Sequence, residues 1–247
     1  MMPTDAPNGR VDIATDAEAV AQRAASLIAE KVRGSSGPFV IALSGGSTPK
    51  RLYQILASDY ADLPWDRMQL VFGDERFVPA DDSSSNYRMV SEALLSKVDV
   101  PSANVHPMPT DGTPADAALR YQGILQRIHG SDTLQPGKPL FDIVLLGLGE
   151  NGHTASLFPG TDVLNERKAW VGSCTPLDAP HDRLTLTYPA IQSSRLVMFL
   201  VAGAGKAEIV AKVRGGDAAQ PSTQIRTDGE LLWLLDKAAA GERDHAG

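Results

Sequence analysis

Apolar and polar positions along the chain follow two alternating rhythms. Between residues 15 and 33, Ala17, Val20, Ala21, Ala24, Leu27 and Ile28 recur at helical spacing, and Thr15 with Glu18 is spaced as a capping box. An amphipathic helix ending near Gly34 is predicted. Residues 39–43 are a short apolar run bounded by Gly37-Pro38 and Ser44-Gly45-Gly46, the mark of a strand entering a turn. Pro49 suits the first turn of the next helix, which carries Leu52, Tyr53, Ile55 and Leu56 and breaks at Pro64. Residues 68–72 predict a further strand, and residues 86–97 a helix. Thr113 before Pro114 is an N-cap signal, and Ala117, Leu119, Tyr121, Ile124, Leu125 and Ile128 define a helix that stops at Gly130. Residues 143–146 lack polar alternation and are too short for a helix, so they read as a strand covered on both faces. Residues 195–202 predict a strand and residues 203–213 a turn followed by a helix. Residues 170–174 and 184–188 are weaker strand signals, and residues 231–235 fit either a last strand or the start of a terminal helix. Residues 1–10 and 241–247 are expected to fray.

Strands alternating with helices imply an α/β fold: a doubly wound, mostly parallel, Rossmann-like sheet with helices on both faces, in one domain spanning residues 1–247. The 43% hydrophobic and 21% charged fractions are ordinary for a globular chain, and no segment approaches the apolar length of a membrane span. The first residues carry no apolar signal core and Cys174 is the single cysteine, so a reducing cytoplasm is expected and an intramolecular disulfide is excluded. A net charge of −7, with no Lys/Arg-rich run, argues against nucleic acid or an acidic membrane as partner. Oligomeric state is left open, a monomer being compatible with the sequence.

In doubly wound sheets, ligands bind outside the carboxyl ends of the strands. Four predicted strands each enter a chemically suggestive turn: Ser44-Gly45-Gly46-Ser47-Thr48, Gly73-Asp74-Glu75-Arg76, residues 149–153 ending at His153, and residues 203–206 ending at Lys206. They should converge. The first joins small and hydroxyl residues to a helix start, as phosphate binding by backbone amides requires, although the Gly-Lys-Ser/Thr ending of a P-loop is missing. Lys206 is expected in the first turn of a helix, where the macrodipole disfavours a cation unless an anion is bound. Singly, each cation has a plainer reading: Lys206 extends to solvent, Arg76 pairs with Asp74 or Glu75 on the surface, and Arg183 is an exposed strand-end charge.

His153 follows Gly147, Gly149 and Gly152 and is expected to open a short helix. The other histidines, His106, His129, His181 and His245, fall in polar, loop or helix-end positions and are expected to be solvated. No histidine pair has zinc spacing and no Gly-x-Ser-x-Gly elbow occurs, so neither a metal site nor a common serine hydrolase is expected. A histidine near a carboxylate, beside a phosphate pocket, suits general acid/base work. Residues 147–152 also match G-x-G-x-x-G, but Pro159-Gly160 stops any helix early, and Asp162 and Glu166 come too soon to be the ribose-binding acid. A dinucleotide site is rejected.

Taken in order and spacing, SGGSTP, GDERFVP, SNYRM (from Ser85 to Met89), GHTASLFPG (from Gly152 to Gly160) and the Lys206 turn resemble the 6-phosphogluconolactonase family, over roughly residues 13–235. That family shares its fold with glucosamine-6-phosphate isomerases/deaminases. The resemblance implies a cytoplasmic hydrolase that opens a phosphosugar lactone, without cofactor or metal. It implies His153 as the catalytic histidine, and Gly45, Gly46, Ser47, Thr48, Arg76, Arg183 and Lys206 as the sugar-phosphate site. Asp74 is expected to orient sugar hydroxyls or polarise the site. Two departures stand out. Asn151 replaces the usual Asp of Asp-Gly-His; an amide cannot stabilise the imidazolium by charge, so His153 is expected to have a lower pKa than in relatives. Phe158 stands five residues after His153, where isomerases of this fold carry glutamate. An isomerase/deaminase-like enzyme is therefore the runner-up, and a non-catalytic sugar-phosphate sensor the alternative of a different class.

Overall fold

The computed structural model describes residues 9–242. In chain order its elements are β1 (Arg10–Ala14), α1 (Ala17–Gly34), β2 (Phe39–Leu43), α2 (Ser47–Asp59), β3 (Met68–Phe72), β4 (Asp74–Arg76), α3 (Asn86–Val90), β5 (Val105–His106) and α4 (Pro114–His129). There follow β6 (Phe141–Leu146), β7 (Val171–Cys174), β8 (Arg183–Leu186), α5 (Tyr188–Gln192), β9 (Ser194–Val201), α6 (Ala207–Arg214) and β10 (Glu230–Asp236). Seven strands form a sheet in the order β1-β10-β9-β6-β2-β3-β5, with every pairing parallel. A small antiparallel sheet, β4-β8-β7, rises from the end of β3.

The strand order fixes where a ligand can enter. The chain steps one way from β2 to β3 and β5, then returns through β6 to β9 and β10. Right-handed crossovers put α1 and α2 on one face and α4 and α6 on the other. The connections after β2 and β6, which are neighbours, therefore leave in opposite directions and open a crevice between them.

Burial follows the apolar pattern. Ile143, Val144, Leu145 and Leu146 are at most 1% exposed, as expected for a strand covered on both sides. α1 presents Val20, Ala21, Ala24 and Ile28 to the core, and its alanines let it pack closely against α2, β9 and β10. Phe199 and Trp233, paired across β9 and β10, stack with centroids 3.9 Å apart. Two buried tyrosines pin the functional ends of the sheet. Tyr53 Oη accepts from the Ser44 N–H (2.9 Å) and donates to its carbonyl (2.8 Å), just past β2. Tyr121 Oη accepts from the Phe72 N–H at 2.7 Å and donates to His106 O at 3.0 Å, tying β3 to β5. Burial pushes both phenols up.

Several expectations are corrected. α1 is capped by Asp16, whose Oδ1 accepts from Ala19 N at 2.8 Å, rather than by a Thr15–Glu18 box; Glu18 instead pairs with Arg51 at 2.7 Å. Arg10, expected to fray, starts β1 opposite Leu232, and residues 1–8 and 243–247 lie outside the described residues. β1 escaped the apolar pattern because it is an edge strand whose polar Arg10 and Asp12 reach surface ion pairs with Glu230 and Arg23. The helix expected over residues 86–97 is α3 followed by a π-helical turn, Ser91–Leu95. Leu119, expected on the buried face of α4, is 65% exposed. His129 is buried edge-on against Trp170 and His106 is half-buried against Gln69, so neither is solvated; His245 lies outside the described residues. Residues 231–235 are strand, within β10. No described helix is long and apolar enough to cross a membrane.

Tyr53→Phe removes both partners of the buried Ser44 backbone groups. Unfolding in denaturant should report a loss of about 1–3 kcal/mol, the cost of leaving such groups unpaired.

Candidate active site

The four turns do converge. They follow β2, β3, β6 and β9, and together with β8 they line a cavity of about 370 Å³ whose walls include Gly45, Gly46, Asp74, Arg76, His153, Arg183 and Lys206. Ser47 and Thr48 are not in its lining; they form the first turn of α2. Gly46, with φ 107°, ends the turn before α2, and no side chain caps that helix. Its first amides are left for a ligand or solvent. Gly45 is required by space, since a Cβ there would strike the Asn86 amide.

Asp74 and Glu75 leave β4 on opposite faces, and the plain surface reading of both fails. Glu75, 2% exposed, accepts from the N–H groups of Arg76, Asn86 and Tyr87, each at 2.8 Å, and from Ser85 Oγ at 3.1 Å. Burial raises its pKa while the three amides oppose the rise. Asp74, 8% exposed, accepts from Ser156 Oγ at 2.7 Å on one oxygen and from Asn86 Nδ2 at 3.3 Å on the other. Arg76 makes no ion pair with either carboxylate; its Nη1 donates to Ser84 O at 2.6 Å.

Arg183 is buried rather than exposed at its strand end, and its Nε and Nη1 have no hydrogen-bond partner among the described residues. Burial first, then the Arg76 charge, lowers its pKa. Arg76 and Arg183 are direct partners across β4 and β8, so two guanidinium groups share one face. Like charges opposite each other in a sheet are unfavourable, and an anion between them reverses the sign. Lys206 completes the positive wall from a 3-10 turn, Ala204–Lys206, immediately before α6 rather than within it.

His153 is held by its own turn. Its ring stacks on Phe158 at 4.1 Å, its Nδ1 lies 2.6 Å from Asn151 Oδ1, and the Gly152 carbonyl behind it accepts from Ser222 N (3.0 Å) and Oγ (2.7 Å). Burial lowers the His153 pKa, with Lys206 and Arg183 adding to the fall and Asp74 and Asp178 opposing it. The short helix expected after His153 is absent. Thr154 Oγ1 donates to Gly147 O, Leu157 N to Thr154 O, and Ala155 takes φ 46°, so residues 153–160 are a chain of turns that carries Ser156 to Asp74 and Phe158 to the imidazole. No dinucleotide-type helix opens there either.

Asn86, Ser156 and Ser222 went unassigned in the sequence reading. The only signal for them was membership of SNYRM and GHTASLFPG, or, for Ser222, none. Cys174 donates to Ser156 O at 3.1 Å, and burial pushes its thiol up to about 11, which makes it unreactive near neutrality. Gly149→Ala places a methyl group on the His153 ring. The ring should leave Asn151 for solvent, and its NMR titration should move up towards the ordinary 6.5 while far-UV circular dichroism stays unchanged.

Residues 15–233 match the family model described as glucosamine-6-phosphate isomerases/6-phosphogluconolactonase. The chain is 43% identical to a 6-phosphogluconolactonase of Nostoc over 94% of its length and 97% of that protein's. It is 42% identical to the Synechocystis protein of the same name, over 89% of each. Among solved structures, 6-phosphogluconolactonase from Trypanosoma cruzi superposes with a TM-score of 0.85 at 30% identity, covering 96% of this chain and 97% of that one. With its parallel sheet, its cationic cavity at the strand ends and these relatives, the chain belongs to the glucosamine-6-phosphate isomerase/6-phosphogluconolactonase family.

Proposed function

We propose that this protein hydrolyses 6-phospho-D-glucono-1,5-lactone to 6-phospho-D-gluconate, the lactone-opening step of the oxidative pentose phosphate pathway. The observation that carries this reading is the single cavity in which a neutral-leaning histidine faces three cations, one of them a buried arginine with two unpartnered nitrogens. The relatives' shared name supports the choice of substrate.

The phosphate lies against Arg76, Arg183 and Lys206, near the open amides that begin α2. Anchored there, the substrate presents its ester carbonyl to His153, so binding energy at a remote point becomes orientation at the reacting carbon. Neutral His153 takes a proton from water as the water oxygen bonds to the carbonyl carbon. The addition leaves a tetrahedral oxyanion at that carbon. When it collapses, the bond from carbon to ring oxygen breaks and the imidazolium returns its proton to that oxygen, yielding the open-chain acid. Asp74, held by Ser156 and Asn86, accepts from sugar hydroxyls and balances the cations. Phe158 occupies the place of the isomerase glutamate and is stacked on His153, which leaves no carboxylate there for ring-opening by proton relay.

The test is opening of freshly generated lactone, followed by coupled oxidation of 6-phosphogluconate, against buffer alone. Wild type should accelerate the reaction, and His153→Ala should lose roughly 100-fold or more in kcat, the usual contribution of a general base. Arg183→Ala should mainly raise KM. A wild type that matches buffer while binding 6-phosphogluconate would make the protein a sensor, and a fully active His153→Ala would remove the histidine from the mechanism. Because its pKa is lowered, His153 stays neutral as pH falls through the ordinary 6.5. The acid limb of kcat/KM should therefore lie below that value, activity being lost only once pH crosses the lowered pKa.

A further inference from the structure

The contact behind His153 extends beyond the cavity. His153 Nδ1 lies 2.6 Å from Asn151 Oδ1, the His153 backbone N–H donates to the same oxygen at 3.2 Å, and Asn151 Nδ2 donates to Asp178 Oδ2 at 3.3 Å. Each link has one possible polarity. A carboxylate only accepts, so Asp178 requires the NH₂ side of the Asn151 amide; the amide oxygen then faces the ring and also only accepts, so the ring proton must sit on Nδ1. Nε2 is left with the free lone pair.

Asp178 belongs to the loop between β7 and β8. It is exposed and absent from the cavity lining, although its neighbour Ala179 is part of it. The loop is held in place: Thr175 Oγ1 donates to Asp182 Oδ1 at 2.5 Å, Phe77 N donates to Asp182 O at 2.8 Å, and Pro176 is buried. The charged groups acting on His153 are Asp74 from β4, Arg183 from β8, Lys206 from the turn before α6, and Asp178. Asp178 alone reaches the ring through a hydrogen-bonded intermediary, and Asn151 itself carries no charge.

We propose that Asp178, acting through Asn151, is a positioning residue that sets the Nδ1–H tautomer of His153 and lends negative charge to the imidazolium formed when Nε2 takes a proton. The catalytic half of this statement rests on the lactonase reading; the tautomer does not. The experiment is ¹⁵N NMR of the His153 ring across pH, beside pH profiles of kcat/KM, for wild type, Asp178→Ala, Asn151→Asp and the double variant. In Asp178→Ala the ring nitrogens should shift from a single Nδ1–H form towards a tautomer mixture and the titration should move to lower pH. Its plateau kcat/KM should fall about two- to fivefold, the scale of one exposed electrostatic contact, with the acid limb also displaced downward. Asn151→Asp puts a carboxylate directly on Nδ1, so in that background removal of Asp178 should have little effect on tautomer, titration or rate. An unchanged tautomer and titration in Asp178→Ala would overturn the proposal, as would an Asp178→Ala effect of equal size in the Asn151→Asp background. If the ring signals respond as expected but wild type opens no lactone, the positioning of His153 stands and the lactonase reading falls.

Discussion

One buried carboxylate organises the active edge of this protein. Glu75 sits just beyond β3 and accepts from four donors, three of them backbone amides on both sides of the polar loop between β4 and α3. A carboxyl group at this depth is unfavourable unless its oxygens are occupied, so the amides of Asn86 and Tyr87 must come to it. That brings Asn86 over Gly45 and against Asp74, closing the wall between the β2 and β3 turns. Because neighbours in a strand point to opposite faces, turning Glu75 inward also turns Asp74 and Arg76 towards the cavity.

The second sheet builds on this edge. A parallel sheet alone would supply the turns after β2, β3, β6 and β9, but no arginine opposite Arg76. The antiparallel β4-β8 pair adds Arg183 there, at the expense of two like charges side by side and a guanidinium without full hydrogen bonding. An anion between the two guanidinium groups would offset both costs. Burial lowers the pKa of both Arg183 and His153, so the cations and the imidazole share one partly desolvated cavity.

Much of this was legible from the chain alone, for a definable reason. β2, β3 and β6 are buried on both faces, so they read as unbroken apolar runs; α4 is bounded by Thr113 and Gly130, whose capping roles are local. In these elements the residue's role depends on its immediate neighbours in sequence, and the pattern revealed it. The alternation of strand and helix then implies one edge for His153, Asp74, Arg76 and Lys206. What stayed hidden depended on distant partners. β1 is recognisable only once β10 lies beside it, and Glu18, expected in a capping box, pairs instead with Arg51, 33 positions away.

The sequence by itself determined the central apolar strands, the longer helices, the family and the candidate residues that gather at one edge, since apolar runs, caps and glycine turns are short-range properties. Only the tertiary structure decided their states. Whether Arg183 is an exposed strand end or a buried cation, and whether Glu75 faces solvent or four donors, depend on how the folded segments pack against one another. Desolvation and hydrogen-bond polarity arise from those contacts, and no linear spacing encodes them.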